Sequence, residues 1–157
     1  MGFSSSKNSI KNKVKEENTT KNVPEKGVLF DKKTNKIIYE GDLINGICDG
    51  KGKYIFENGD YFIGNFSNGL REGQGNQYYE NKKLQYEGSW KSDMRNGHGF
   101  YYYENGDYFI GFWKDNKKVG KGELYDKNGQ FIKAGDVCDI NTEESNMNIN
   151  LNNLIMK

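Results

Sequence analysis

The 157-residue chain has a single proline, a single histidine (His98) and two cysteines, Cys48 and Cys138. Two thiols and one imidazole are too few for a structural zinc centre or a disulfide framework, so neither a metal nor a cofactor is expected. The thiols are expected to stay reduced, which fits a cytoplasmic setting. An excess of one charge is also missing. Twenty-three Lys and Arg oppose 22 Asp and Glu, a formal net charge of +1, whereas dedicated nucleic-acid-binding domains are strongly basic. No apolar run approaches the ~18 residues of a membrane span, and no signal-peptide core follows Met1. Aliphatic material is thin as well, with only 34% of residues hydrophobic, so any core must be built from something else.

That something is aromatic rings and glycine. The chain carries 11 Tyr, 9 Phe and 2 Trp, and every one except Phe3 falls between Phe30 and Phe131. Its 20 glycines are well above the usual share of about 7%. Both residue types recur with a period. Units beginning at Tyr39, Phe62, Tyr86 and Phe109 each place Gly at offset 2 (Gly41, Gly64, Gly88, Gly111). Each also places Gly at offset 11 (Gly50, Gly73, Gly97, Gly120) and at offset 13 (Gly52, Gly75, Gly99, Gly122). Offset 4 is always bulky: Leu43, Phe66, Trp90 and Trp113. Offset 19 is always Asn: Asn58, Asn81, Asn105 and Asn128. The units are 39–61, 62–85, 86–108 and 109–131. Fixed-period self-similarity of this kind marks an array of small structural units.

Within a unit the period is two. Offsets 0, 2 and 4 share one face of a strand, and offsets 11, 13, 15 and 17 share a face of a second. Asn45-Gly46 and Asn68-Gly69 provide tight turns between these strands, and Asn-Gly at 58–59, 105–106 and 128–129 joins one unit to the next. Offset 7 is Asp93 and Asn116 in the last two units, which predicts looser turns there. The second unit carries one extra residue around Asn81-Lys82-Lys83, which predicts a larger loop and a local offset in pairing. Glycine weakens a strand by about 0.5–1 kcal/mol relative to alanine. Alternate glycines therefore imply that another group lies on the backbone, and the rings at offsets 0 and 4 of neighbouring strands are the expected occupants.

These residues resemble the MORN repeat family, whose pattern runs roughly YxGxxxxGxxxGxGxxxxxxG in units near 23 residues. The resemblance covers about 39–131. Gly27–Tyr39 matches a second strand and turn, two residues long. Residues 132–137 look like the opening of a fifth unit slipped in register by one. The resemblance implies an all-β fold, an elongated twisted antiparallel sheet of tandem β-hairpins forming a rod on the order of 40–50 Å, with ends that need capping.

The two ends differ from the array. Residues 1–26 hold six Lys, three Glu and little large apolar surface, and are expected to be disordered. MGFSSSKN fits the pattern for myristoylation of Gly2, or matches it by coincidence. One myristoyl chain gives a partition constant of only about 10⁴ per molar, so stable anchoring needs a second signal. Lys7, Lys11, Lys13 and Lys15 could supply it at about 1 kcal/mol each near an anionic leaflet. The competing reading is a solvated tail from the same codon bias that yields 21 asparagines. In residues 138–157, Met147, Leu151, Leu154 and Ile155 fall at helical spacing, and Asn141 with Glu144 could form a capping box. Such a helix would cap the last unit or dock a partner.

No catalytic constellation emerges. The Gly-x-Gly pairs lack the residues and the following helix of a phosphate loop. His98 stands where other units carry Lys51, Gln74 and Lys121, and is expected at the surface. Stacking of nucleic acid on the rings is opposed by the near-neutral array, with 16 basic against 15 acidic side chains over residues 27–135. What remains is a binding surface. Tyr54, Phe56, Tyr79, Tyr101 and Tyr103, at offsets 15 and 17, are candidates for core or for an open aromatic face that takes a partner. The resemblance implies a non-enzymatic adaptor whose protein partner is a motor tail or part of the cortical cytoskeleton. It would sit on the cytoplasmic face of a membrane through myristate and the basic tail. Direct binding of acidic phospholipids by the repeats is the alternative, and a regulatory piece of a larger enzyme is a third.

Overall fold

The computed structural model describes residues 23–137. Ten strands run in chain order: β1 (Glu25–Phe30), β2 (Ile37–Ile44), β3 (Ile47–Ile55), β4 (Tyr61–Ser67), β5 (Leu70–Tyr78), β6 (Leu84–Lys91), β7 (Met94–Tyr102), β8 (Tyr108–Lys114), β9 (Lys117–Tyr125) and β10 (Phe131–Asp136). They form one open sheet in the order β1 to β10, with every neighbouring pair antiparallel. The fold is all-β, as the repeat pattern predicts. Strand β1 begins two residues before Gly27, and Lys26 pairs with Asp42 at 2.7 Å, so the ordered array starts inside the expected tail. Gly2, Lys7, Lys11, Lys13, Lys15, Cys138 and the expected C-terminal helix lie outside the described residues.

Register is set by glycine. Gly27, Gly41, Gly52, Gly64, Gly75, Gly88, Gly99, Gly111, Gly122 and Gly135 pair in turn, so one row of bare backbone crosses all ten strands. The ring at offset 0 lies on this row. Tyr39 covers Gly41 and Gly52, Phe62 covers Gly64 and Gly75, Tyr86 covers Gly88 and Gly99, and Phe109 covers Gly111 and Gly122. These four rings are fully buried in a sheet of a single layer. The rings of neighbouring strands cover the offset-13 glycines, as expected, and each offset-0 ring also covers the offset-2 glycine of its own strand, so both contacts stay within one hairpin. The exception is Leu43, an offset-4 side chain that covers Gly27.

The offset-11 glycines serve a different end. Within the first hairpin, Gly41 pairs with Gly52 and Leu43 with Cys48, so β3 has the longer arm and bulges. Gly50 sits in that bulge at φ 111°, and Gly97 repeats the arrangement at φ 103°. The motif Gly-x-Gly therefore joins two separate demands, a positive φ and a surface for a ring.

The turns differ from expectation in instructive ways. The inner turns of the last two units are as tight as the first two. Ser92-Asp93 and Asp115-Asn116 adopt positive φ (48° and 67° in both pairs), just as Asn45-Gly46 and Asn68-Gly69 do. The left-handed conformation costs a non-glycine residue about 1–2 kcal/mol. Here the side chains offset it: Asp93 Oδ1 accepts the Arg71 N–H and Asn116 Oδ1 accepts the Arg95 N–H, both at 2.9 Å.

Between units only the glycine of Asn-Gly is left-handed, as at Gly59. The Phe56 and Gly59 N–H groups donate to Asp60 O and Phe56 O, closing a three-residue loop. The invariant Asn58 instead uses its side chain to accept the Asp60 N–H. The second unit closes the same loop with Lys82 at φ 69°. Its loop is therefore no larger; the extra residue is absorbed as a register shift between Gln77 and Tyr78. The slip at the fifth half-unit is likewise taken up between Phe131 and Lys133, which restores Gly135 opposite Gly122.

A Cβ at position 99 would meet the Tyr86 ring closer than 3 Å, whereas one at position 135 meets nothing within 4 Å. Gly99→Ala is expected to cost about 2–3 kcal/mol through overpacking, and Gly135→Ala less than about 1 kcal/mol in either direction. Urea unfolding of the two variants checks the difference.

Candidate functional site

The ring-bearing face is the candidate site, and its floor is a continuous chain of edge-on rings. Tyr39 meets Phe66, Phe66 meets Phe62, Phe62 meets Trp90, Trp90 meets Tyr86, Tyr86 meets Trp113, and Trp113 meets Phe109. Centroids lie 5.1–6.1 Å apart and planes cross at 76–90°. Each such pair contributes about 0.5–1.5 kcal/mol beyond its buried area. The offset-0 and offset-4 side chains alternate along this chain, so it stitches each hairpin to the next. Tyr39 and Tyr86 donate their hydroxyls to the backbone oxygens of Asp42 and Ser89, at 2.8 and 3.1 Å.

All five candidate partner-binding rings lie on this face and all are half-buried. Tyr54, Phe56, Tyr101 and Tyr103 pack against the core, and Tyr54–Phe56 and Tyr101–Tyr103 form edge-on pairs at 5.0 and 5.1 Å. Tyr79 sits between these two pairs and donates to Tyr102 O at 3.4 Å. They are core on one side and surface on the other, so the two readings of them merge.

A set of residues missed by the sequence reading completes the face. Offset 9 is Arg71, Arg95 and Lys118 in the last three units, and buried Cys48 in the first. The cations lie over the rings. Arg71 stands 4.2 Å from the Trp90 centroid, Arg95 stands 4.6 Å from Trp113, and Lys118 stands 4.7 Å from Phe109. Lys118 also bonds the Tyr103 hydroxyl. The signal was the recurrence of a cation at one offset, masked because the first unit breaks it. Burial lowers the Arg95 pKa from its ordinary value, though the guanidinium stays charged, and raises that of the Cys48 thiol.

The opposite face carries rings as well: Tyr61 stacks on Tyr78 at 4.8 Å, and Tyr108 lies between Tyr102 and Tyr125 at 5.7 and 5.1 Å. His98 is exposed, as expected, and meets Phe100 and Phe112 edge-on. Nearer the start of the sheet an open recess of about 820 Å³ is lined by Lys26, Lys51, Lys53, Glu40, Ile63 and Asn65 among others. Among the described residues, no group of three His, Cys, Asp or Glu could hold a metal ion.

Tyr39, Tyr86 and Tyr101 have pKa values pushed up to about 12, by burial in the first place, with a hydrogen bond to Tyr79 adding to it at Tyr101. An unfolded chain releases phenol protons near pH 10. Between pH 10 and 12 the folded form thus binds more protons than the unfolded one, and stability falls as pH rises. Unfolding midpoints followed by circular dichroism are expected to be level below pH 10 and to drop across that window. Tyr86→Phe, which copies the natural Phe62 and Phe109, is expected to make the drop shallower.

Compared with known proteins, a family model described as MORN repeat matches residues 39–61, 62–82, 86–108 and 109–131, together more than half of the chain. No curated protein matches it. Arrays of this family are repeat modules of membrane or protein binding and are generally non-catalytic. With the period, the glycine row and four successive matches in agreement, the chain belongs to the MORN repeat family.

Proposed function

We propose that the protein is a non-enzymatic adaptor, held on the cytoplasmic face of a membrane by its N-terminal tail and presenting the ring-bearing face to a protein partner of the cytoskeleton or cell cortex. The observation that carries this reading is the half-buried stripe of Tyr54, Phe56, Tyr79, Tyr101 and Tyr103 with Arg71 and Arg95 among them. Tyr, Trp and Arg are the residues that dominate binding hot spots. A ring already fixed by its neighbours also loses little freedom when a partner arrives. The tether would combine an acyl chain on Gly2 with Lys7, Lys11, Lys13 and Lys15. Four lysines at about 1 kcal/mol each raise a marginal acyl anchor to a firm but reversible one.

Direct binding of acidic phospholipid headgroups is the second reading, favoured by Lys26, Lys51 and Lys53 around the open recess. Glu40 in the same recess, and Asp42 bound to Lys26, offset that charge.

Vesicle flotation separates the two. The acylated full-length protein is expected to float with phosphatidylserine vesicles, and Gly2→Ala to remain in the heavy fraction even when phosphoinositides are added. Flotation of Gly2→Ala on phosphoinositide vesicles would favour the lipid-binding reading. On the partner side, a protein retained by the intact chain is expected to be lost from the Tyr101→Ala, Tyr103→Ala double variant.

A further inference from the structure

The two outer edges of the sheet are complementary halves of one repeat. At one edge Gly27 pairs with Gly41, so β1 stands where a unit has its second strand. At the other, Gly135 pairs with Gly122 and Lys133 with Leu124, so β10 stands where a unit has its first strand. Lys133 therefore takes the position of the buried rings Tyr39, Phe62, Tyr86 and Phe109. In every complete unit the two row glycines are 11 residues apart, as at Gly41 and Gly52, whereas position 146 is Asn and residues 136–157 hold no glycine. The repeat pattern thus opens a fifth unit and does not supply its second strand.

Among the described residues, no strand lies beyond β1 or β10. An exposed edge presents a row of backbone N–H and C=O groups that a further strand can take up. Gly135 is also the one member of the glycine row with nothing over it, since a Cβ there would meet no described atom within 4 Å. Both edges leave apolar side chains in water. Val28 and Phe30 on β1 are 39% and 51% exposed, and Phe131 and Ile132 on β10 are 59% and 43% exposed.

Parity and register decide what such edges fit. Ten alternating strands leave β10 antiparallel to β1, so a second copy placed beyond β10 continues the alternation with its own β1. At all nine junctions within the array, glycine faces glycine. The same register across a tenth junction sets Gly135 opposite Gly27 of the second copy. It also sets Asp136 opposite Lys26, Ala134 opposite Val28, and Ile132 opposite Phe30 with Phe131 beside it. An acid meets a base, and apolar residues meet apolar ones. The first hairpin has an acid and a base at the equivalent positions, where Asp42 Oδ2 accepts the Lys51 N–H at 2.9 Å. Like edges match less well. Centred on glycine, two β10 strands set Asp136 against Ala134, and two β1 strands set Lys26 against Val28.

We propose that β10 of one chain pairs with β1 of a second copy, so that two half-units close into one repeat and the array runs on from chain to chain. The contact is heterologous, so each addition leaves a new open edge and the assembly grows as a rod. A single strand pair is smaller than a standard interface, which makes the association weak and dependent on concentration. It uses the edges and leaves both faces of the sheet open, so it stands apart from the adaptor reading.

Sedimentation of the full-length protein is expected to give a coefficient that rises with concentration. Lys26→Glu and Asp136→Lys each set like charges across the junction, and each alone is expected to lose that rise. Mixed in equal amounts, the two variants restore opposite charges at every junction between unlike chains, and the rise is expected to return. Val28 and Ala134 are exposed, so cysteine is tolerated at both. In a Cys138→Ser background, oxidation of a mixture of Val28→Cys and Ala134→Cys chains is expected to give a linked dimer that neither variant forms alone. A constant coefficient for the unaltered protein, a mixture of charge variants no better than its components, or linkage within either cysteine variant alone would overturn the proposal. Failure of the flotation or partner experiments would leave these results untouched.

Discussion

The contact between a flat ring and a pair of facing glycines is the constraint on which the rest of this molecule depends. A sheet of one layer has no second layer to bury its side chains, and sheets are ordinarily stabilised by packing one face on something else. Here the rings fold down onto the sheet's own backbone. Removing the Cβ at the central row lets Tyr39, Phe62, Tyr86 and Phe109 lie flat enough to be fully buried. The offset-4 side chains then stand edge-on between them, and the hairpins become mutually supporting. The cost of glycine in strands β2 to β9 is offset because the same vacancy that weakens each strand admits a buried ring.

That arrangement also shapes the surface available for function. Rings fixed from below and open above are rigid before anything binds. The cations at offset 9 add charge without disturbing the apolar floor, because guanidinium groups stack on ring faces. Arg71 is paired with Asp93, and Arg95 has no carboxylate within ion-pair distance among the described residues. One repeat thus pairs its cation with the Asp93 carboxylate, and the next has the neutral Asn116 in that place and the Tyr101 hydroxyl beside Arg95. Repetition makes such a departure visible, since each unit is a control for its neighbour.

Much of this was legible in the sequence because the period fixes both the strands and their facing. The strands and the shared facing of rings and glycines follow from spacing, and the row of hairpins in one sheet is what the family resemblance implies. The roles of the glycines were less legible. Gly50 and Gly52 look alike in sequence, but one answers a bulge with positive φ and the other makes room for Tyr39. Tight turns at Ser92-Asp93 and Asp115-Asn116 were hidden because their stabilising bonds run to Arg71 and Arg95 in the preceding hairpin, which local propensity does not register. The offset-9 cations escaped for a related reason. Their meaning lies in which rings they cover, and that is a property of the assembled face.

The most direct test of the central claim is a double-mutant cycle between a ring and its glycine, Tyr86 and Gly99, measured by chemical unfolding. If the ring occupies the space that a methyl group would need, Gly99→Ala loses most of its destabilising effect in a Tyr86→Ala background, giving a coupling of about 2 kcal/mol or more. An equal cost of Gly99→Ala in both backgrounds would show that the glycine serves the backbone alone, and would contradict the account.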